Sequence, residues 1–121
     1  MQNAKVLIIE DDDGIALDLE WIVRDMRLNL MGIARTRNEA VALAKEELPD
    51  LILSDVDLCD GSTGVDAVRD IIGEIDARVI FVTASANLLE DNLNVASHRI
   101  IPKPYREITL RNAINDALSM K

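Results

Sequence analysis

Four short stretches of the sequence carry residue types that could do chemistry together. They are Glu10-Asp11-Asp12-Asp13, Ser54-Asp55-Val56-Asp57, Thr83, and Pro102-Lys103-Pro104. Carboxylates gathered at one point repel one another, which folding alone does not favour. A hard divalent cation resolves the conflict: Mg²⁺ takes a few carboxylates, keeps several waters and leaves room for a phosphoryl group. A hydroxyl such as that of Thr83 and an ammonium such as that of Lys103 suit the other oxygens of such a group. Phosphoryl transfer is largely positioning and charge neutralisation, so these parts suffice for it. A carboxylate can itself act as the nucleophile and form an acyl phosphate. Each residue also has an ordinary reading. Asp12 or Asp13 can cap a helix, with Asp13 favoured; Asp55 can be a turn residue, Thr83 a strand end and Lys103 a surface lysine. The combination is the specific signal.

Whether the stretches meet depends on the elements that hold them. Short, β-branched, non-alternating apolar runs occur at residues 4–9, about 30–34, 51–53, 79–82 and 100–101, and such runs read as buried strands. Amphipathic stretches separate them. Ile15, Leu19, Ile22, Val23 and Met26 recur at helical spacing and make one apolar stripe. Thr36 with Glu39 is a capping-box pattern, opening a helix that runs through Leu48 to Pro49. A third helix is expected over 65–72, opened by Ser62 or Thr63. Leu110, Ala113, Ile114, Ala117 and Leu118 give the last helix its inner face. Over 86–96, Leu89, Leu93 and Ala96 are helically spaced, but Asn87, Asn92 and Asn94 lower the propensity and predict a short or mobile helix. The alternation is (βα)₅, one domain over 1–121 with a parallel sheet covered on both faces. Ligands of such sheets gather at the carboxyl ends of the strands. The four stretches fall at those ends, after the first, third, fourth and fifth strands.

Composition narrows the partners. Thirteen Lys and Arg against 22 Asp and Glu give a net charge of −9, which argues against a uniformly basic nucleic-acid surface. An apolar fraction of 49% is ample for a core, so the acidity does not signal disorder. The single Cys excludes an internal disulfide and a Cys-cluster zinc site, and the single His excludes a two-histidine metal motif. Oxygen ligands then favour Mg²⁺, Ca²⁺ or Mn²⁺. No apolar run approaches the roughly 18–20 residues that span a bilayer, and the N-terminus lacks the order of a signal peptide. A cytoplasmic protein without nucleic-acid or membrane partners is expected.

Val6-Leu7-Ile8-Ile9-Glu10-Asp11, Leu51-Ile52-Leu53-Ser54-Asp55, Phe81-Val82-Thr83-Ala84 and Lys103-Pro104-Tyr105 together resemble the receiver domain of bacterial two-component response regulators. The resemblance spans the chain and implies a flavodoxin-like, doubly wound sheet of strand order 2-1-3-4-5. It implies Asp55 as the phospho-acceptor, charged by a sensor histidine kinase with Mg²⁺ as cofactor. It makes Glu10 and Asp11 the acidic pair, with Asp11 the direct Mg²⁺ ligand. Asp57 matches the position whose main-chain carbonyl contacts the metal, Thr83 the switch hydroxyl, and Lys103 the lysine that contacts the phosphoryl group. A cis bond before Pro104 is implied as well. No enzymatic activity is implied beyond self-catalysed phosphotransfer and dephosphorylation. A closer likeness is to receivers of PhyR-type general stress regulators and the related FATGUY single-domain group. Residues 17–23 and 60–68 carry it, and it implies a kinase of the HWE/HisKA2 class. Phe81-Val82-Thr83-Ala84 fits the Phe-Ala-Thr-Gly signature of that group only in part.

Three departures stand out. Ile100 occupies the place of the usual Tyr or Phe that moves with the switch Thr, and Tyr105 is not that residue. The loop after Asp55 lacks the usual Pro and is one residue longer, ending at Gly64. Asp57 adds a carboxylate beside the site, and the resemblance implies that it and Ser85 tune dephosphorylation.

Leu17, Trp21 and Leu28 fall on one line of the first helix, opposite its core stripe at 100° per residue. That line reads equally as packing against the last helix and as a partner-docking stripe; the resemblance implies that this helix docks the kinase. Cys59 has no cationic neighbour to activate it and reads as an idle thiol. His98 precedes the fifth strand and reads as a surface residue. Gly61-Ser62-Thr63-Gly64 lacks the Lys of a P-loop and reads as a turn before a helix.

Two rival functions remain open at this point. Asp55-Val56-Asp57 also resembles the nucleophile motif of haloacid-dehalogenase-like phosphatases, whose second Asp is a general acid/base. Against it stand the short chain, the lack of a cap domain and an acidic pair placed before the motif. The other rival is a receiver-like interaction protein that needs no phosphorylation. If the chain is complete, output by protein contact or by draining phosphate from a kinase is expected; if it is excised, the effector lies elsewhere.

Overall fold

The apolar runs pair into one parallel sheet. A computed structural model describes residues 3–56, 64–73, 75–84 and 98–119. Its strands are β1 (Lys5–Ile9), β2 (Asn29–Ala34), β3 (Leu51–Ser54), β4 (Arg78–Thr83) and β5 (His98–Pro102). Their order is β2-β1-β3-β4-β5, with every neighbouring pair parallel. The described helices are α1 (Asp13–Asp25), α2 (Arg37–Glu46), α3 (Gly64–Ile72) and α4 (Glu107–Ser119). This is the expected flavodoxin-like, doubly wound arrangement. The helix expected over 86–96 lies outside the described residues, as do Ser62 and Thr63. His98 opens β5 rather than preceding it.

Successive strand residues point to opposite faces, and both faces are covered. Leu7, Ile9, Ile52, Val79 and Phe81 pack with Ala40 and Ala44 of α2 and Ala67, Val68 and Ile71 of α3. Val6, Ile8, Leu51, Leu53, Ile80 and Val82 pack with Leu19, Ile22 and Val23 of α1 and Leu110, Ala113 and Ile114 of α4. A strand buried on both sides has no polar face to present, which is why these runs do not alternate. β2 differs from the buried strand expected: it is mostly half-buried, because it forms the edge of the sheet and pairs only with β1. Among the described residues no helix is long and apolar enough to cross a membrane.

Helix ends depart from the sequence reading in three places. The cap of α1 is Asp12, not Asp13: its Oδ1 accepts the Ile15 N–H at 3.0 Å. Asp13 sits in the first turn, where its charge favours the positive helix end. Thr36 does cap α2, its Oγ1 accepting the Glu39 N–H at 3.2 Å. That helix closes at Glu46, short of Leu48, because Pro49 disfavours helical backbone at the residue before it.

The third departure removes Leu28 from the line on α1. The Arg27 N–H donates to the Arg24 carbonyl and the Leu28 N–H to the Val23 carbonyl, the pattern of a Schellman stop. Arg27 holds the left-handed position at φ 62°. Leu28 therefore turns inward and packs, half-buried, in the same apolar cluster as Val23. An arginine in this conformation carries a steric penalty that glycine lacks. Arg27→Gly is expected to stabilise the fold by ~1 kcal/mol, read from the midpoint of urea unfolding.

Candidate functional site

The strand ladders bring the site residues together. Ile9 is paired with Ser54, and the Asp55 N–H donates to the Ile9 carbonyl at 2.8 Å. The first residues beyond β1 and β3, Glu10 and Asp55, therefore stand side by side. On its other flank Glu10 is pinned by its N–H to the Ala34 carbonyl, 2.9 Å. Thr83, the buried last residue of β4, accepts the Lys103 N–H on its main-chain oxygen at 2.9 Å. Lys103 follows β5, and its bond to Pro104 is cis.

The Lys103 ammonium bridges the two strand ends. Nζ donates to Glu10 Oε1 at 3.0 Å and lies 3.3 Å from Asp55 Oδ2. Glu10 Oε2 accepts the Asp12 N–H at 3.2 Å. One carboxylate oxygen from each of Glu10, Asp11 and Asp55 lies within 4.8 Å of the others. Glu10 is 1% exposed, whereas Asp11 and Asp55 are half-buried at the rim. Burial, aided by the Asp55 charge, pushes the Glu10 carboxyl above its usual range despite its bond to Lys103. Burial works to lower the Lys103 ammonium, but the Glu10 and Asp55 carboxylates outweigh it and hold that group above its usual value.

This donor set fits Mg²⁺. All three groups are hard oxygen donors that converge on one point, and two are open enough to leave room for retained waters. Asp57 lies outside the described residues, as do Cys59 and Ser85.

The main chain of Asp55 is held as firmly as its side chain. Ser54 Oγ donates to the Asp55 carbonyl at 2.7 Å, and Asp55 Oδ1 accepts the Val56 N–H at 2.7 Å. The Gly64 N–H donates to the Val56 carbonyl at 2.6 Å. A β-carbon on Gly64 would stand 1.6 Å from the Asp55 carbonyl oxygen. Gly64 thus serves a close approach of α3 to the acceptor strand, which the sequence reading took only as the end of a turn.

Around this centre, Leu17 and Trp21 are exposed on α1. Arg111 of α4 lies 5.6 Å from the Trp21 ring centroid and pairs with Asp25 at 2.7 Å. Trp21 therefore both touches the last helix and presents a free face. A cleft of about 600 Å³ adjoins Lys103, lined by Gly14, Ile15, Asp18, Ala84, Lys103, Pro104 and Tyr105. The Tyr105 hydroxyl donates to the Asp18 carboxylate, and burial together with that bond raises the phenol above its usual value. Ile100 is half-buried and packs in the cluster that contains Phe81. Sequence reasoning also passed over Arg35, whose Nη2 donates to the Asp11 carbonyl at 2.9 Å and whose Nη1 pairs with Asp13; no local pattern marked it.

Comparison with known proteins agrees with this geometry. The family model for the response regulator receiver domain matches residues 6–115. The phyllosphere-induced regulator PhyR of Methylorubrum extorquens is 41% identical over 115 residues, covering 94% of this chain and 43% of that protein. The solution NMR structure of the Erythrobacter litoralis PhyR response regulator REC domain superposes with a TM-score of 0.93 at 40% identity, covering 100% of this chain and 94% of that one. The crystal structure of the anti-anti-sigma factor PhyR from Bartonella quintana gives a TM-score of 0.81 at 37% identity, covering 98% of this chain and 49% of that one. The chain spans about half the length of the curated relatives it matches. Strand order, site geometry and these likenesses agree that the chain belongs to the receiver domains of response regulators.

Proposed function

We propose that residues 1–121 act as one phospho-accepting receiver in which Asp55 takes a phosphoryl group from a sensor histidine kinase. The observation that carries this reading is the Lys103 ammonium set between Glu10 and Asp55, next to Asp11. An Asp55 carboxylate oxygen forms the bond to phosphorus as the phosphorus–nitrogen bond to the kinase histidine breaks. The product is an acyl phosphate on Asp55. Glu10, Asp11 and Asp55 would hold Mg²⁺, joined by the main-chain carbonyl of Asp57 that the family resemblance implies, and the ion would supply charge neutralisation for the phosphoryl oxygens. Lys103 supplies a fixed positive charge from the other side, and the Thr83 hydroxyl contacts a further oxygen of the phosphorylated group. The same residues catalyse loss of the phosphate.

Receiver domains are signalling modules rather than classical enzymes, and the haloacid-dehalogenase reading of Asp55-Val56-Asp57 gains no support from the matched family. The kinase is of the HWE/HisKA2 class and docks on Leu17 and Trp21 of α1, which are exposed. Output is through protein contacts in a general stress response, or by drawing phosphate from the kinase. The relative described as an anti-anti-sigma factor supports the stress-response side of this reading. The protein acts in the cytoplasm.

Beryllofluoride or acetyl phosphate with Mg²⁺ tests the reading. Amide signals around Asp55, Thr83 and Lys103 are expected to shift, and the shifts should vanish in Asp55→Asn. No shift, or the same shift in that variant, overturns the proposal and favours a phosphorylation-independent interaction protein. Mg²⁺ alone at a hundred times its Kd should add about 2.7 kcal/mol of stability.

A further inference from the structure

We infer that Arg35 is a positioning residue for the proposed Mg²⁺ site, setting its affinity by holding the main chain of Asp11. The inference rests on the reading of Glu10, Asp11 and Asp55 as the metal-holding carboxylates.

Two of those three carboxylates are fixed by the sheet. Glu10 is buried, bonded through its N–H to Ala34 and through its side chain to Lys103. Asp55 is bonded through its N–H to Ile9 and braced by Ser54. Asp11 is different. It lies past the last residue of β1 and before the Asp12 cap of α1, where neither the strand ladder nor the helix ladder fixes it.

Arg35, the residue that follows β2, reaches across to this gap. Its guanidinium forks, with Nη2 donating to the Asp11 carbonyl at 2.9 Å and Nη1 to the Asp13 carboxylate. The fork is itself anchored. The Arg35 N–H donates to Glu39 Oε1 at 2.8 Å, and the Glu39 N–H is held by the Thr36 hydroxyl. In a capping box the glutamate reaches back to the cap residue's own N–H. Here it reaches one residue further and fixes the residue that grips the metal loop. The end of β2 thus holds the β1–α1 loop at three successive points: Glu10 through Ala34, then Asp11 and Asp13 through Arg35.

Charge and positioning predict opposite results when this arginine is removed. By Coulomb's law alone, deleting an exposed cation near three carboxylates strengthens Mg²⁺ binding, by about twofold at ordinary salt. Loss of the grip on Asp11 weakens it, by about tenfold, the low end for groups that orient metal ligands. Lysine separates the two further: it keeps the charge but is a single point donor that cannot fork between a carbonyl and a carboxylate.

The experiment is calorimetric titration of Mg²⁺ into the wild-type protein, Arg35→Ala and Arg35→Lys, with melting temperatures taken in chelator. Both variants are expected to bind Mg²⁺ about tenfold more weakly while melting close to the wild type without metal, since an exposed ion pair contributes little stability. Wild-type or tighter affinity in Arg35→Ala overturns the inference. So does wild-type affinity in Arg35→Lys, which assigns the residue a charge role only. A lower metal-free melting temperature with unchanged affinity overturns it too, as a purely structural effect. Failure of the wild-type protein to bind Mg²⁺ overturns the site reading itself and this inference with it, a result distinct from the others.

Discussion

Gly64→Ala should lower the unfolding free energy by about 3 kcal/mol or more. The added β-carbon would sit 1.6 Å from the Asp55 carbonyl oxygen, 2.4 Å from Ser54 Oγ and 2.8 Å from the Asp55 carbonyl carbon. Two of these atoms are main chain, so no flexible side chain can swing aside. Alanine's better helix propensity acts in the other direction, but by no more than ~1 kcal/mol, so the collision decides the sign. Relief requires α3 to back away from β3, which breaks the 2.6 Å bond from Gly64 to Val56 and loosens Asp55. The melting temperature should fall by roughly 10 °C or more, and phosphoryl capture by Asp55 should slow with it. An alanine variant that melts at or above the wild type would refute the account.

Lys103→Met has the second large expected effect. Methionine fills similar length without charge, so the variant isolates the ammonium. Glu10 is almost fully buried, and the loss of its cation leaves a carboxylate in the protein interior. Breaking a buried pair in this way costs about 3–5 kcal/mol when the partner is left stranded. Here the cost should be lower, about 2–3 kcal/mol in chelator. The Glu10 carboxyl is already pushed toward its neutral form, and its second oxygen keeps the Asp12 N–H. The double variant Glu10→Gln, Lys103→Met should recover most of the loss, because a neutral amide needs no cation. Phosphoryl capture should fall about a hundredfold or more in the single variant, as for other fixed donors to developing charge. Urea unfolding of the four proteins of this cycle gives the coupling, and a stability for Lys103→Met equal to wild type would contradict it.

The strand-end residues were legible because their types are unusual where they stand. Glu10, Asp11 and Asp55 follow apolar runs, and two-sided burial of a parallel sheet makes such runs continuous and easy to see. Thr36 was legible as a cap because a hydroxyl three residues before its target N–H is a local pattern. The choice between Asp12 and Asp13 was not: adjacent carboxylates compete for one cap, and the entry angle of the chain settles which of them reaches Ile15. Leu28 was misplaced for a related reason. A helical projection continues past Asp25 on paper, but the left-handed turn at Arg27 ends it in the molecule.

The sequence by itself determined which residues form strands, which faces of the helices are apolar, and which chemical groups stand at the strand ends. These follow from local periodicity and residue type. Only the tertiary structure decided that the groups meet. Lys103 and Glu10 are 93 residues apart, and β3 and β4 lie between their strands, yet the Lys103 side chain crosses the carboxyl edge of the sheet to bring its ammonium 3.0 Å from the Glu10 carboxylate. The grip of Arg35 on Asp11 and the fit of Gly64 against Asp55 are also contacts between different elements. Hydrophobic patterning carries no record of such pairs, because it reports which face a side chain takes and not what it meets there.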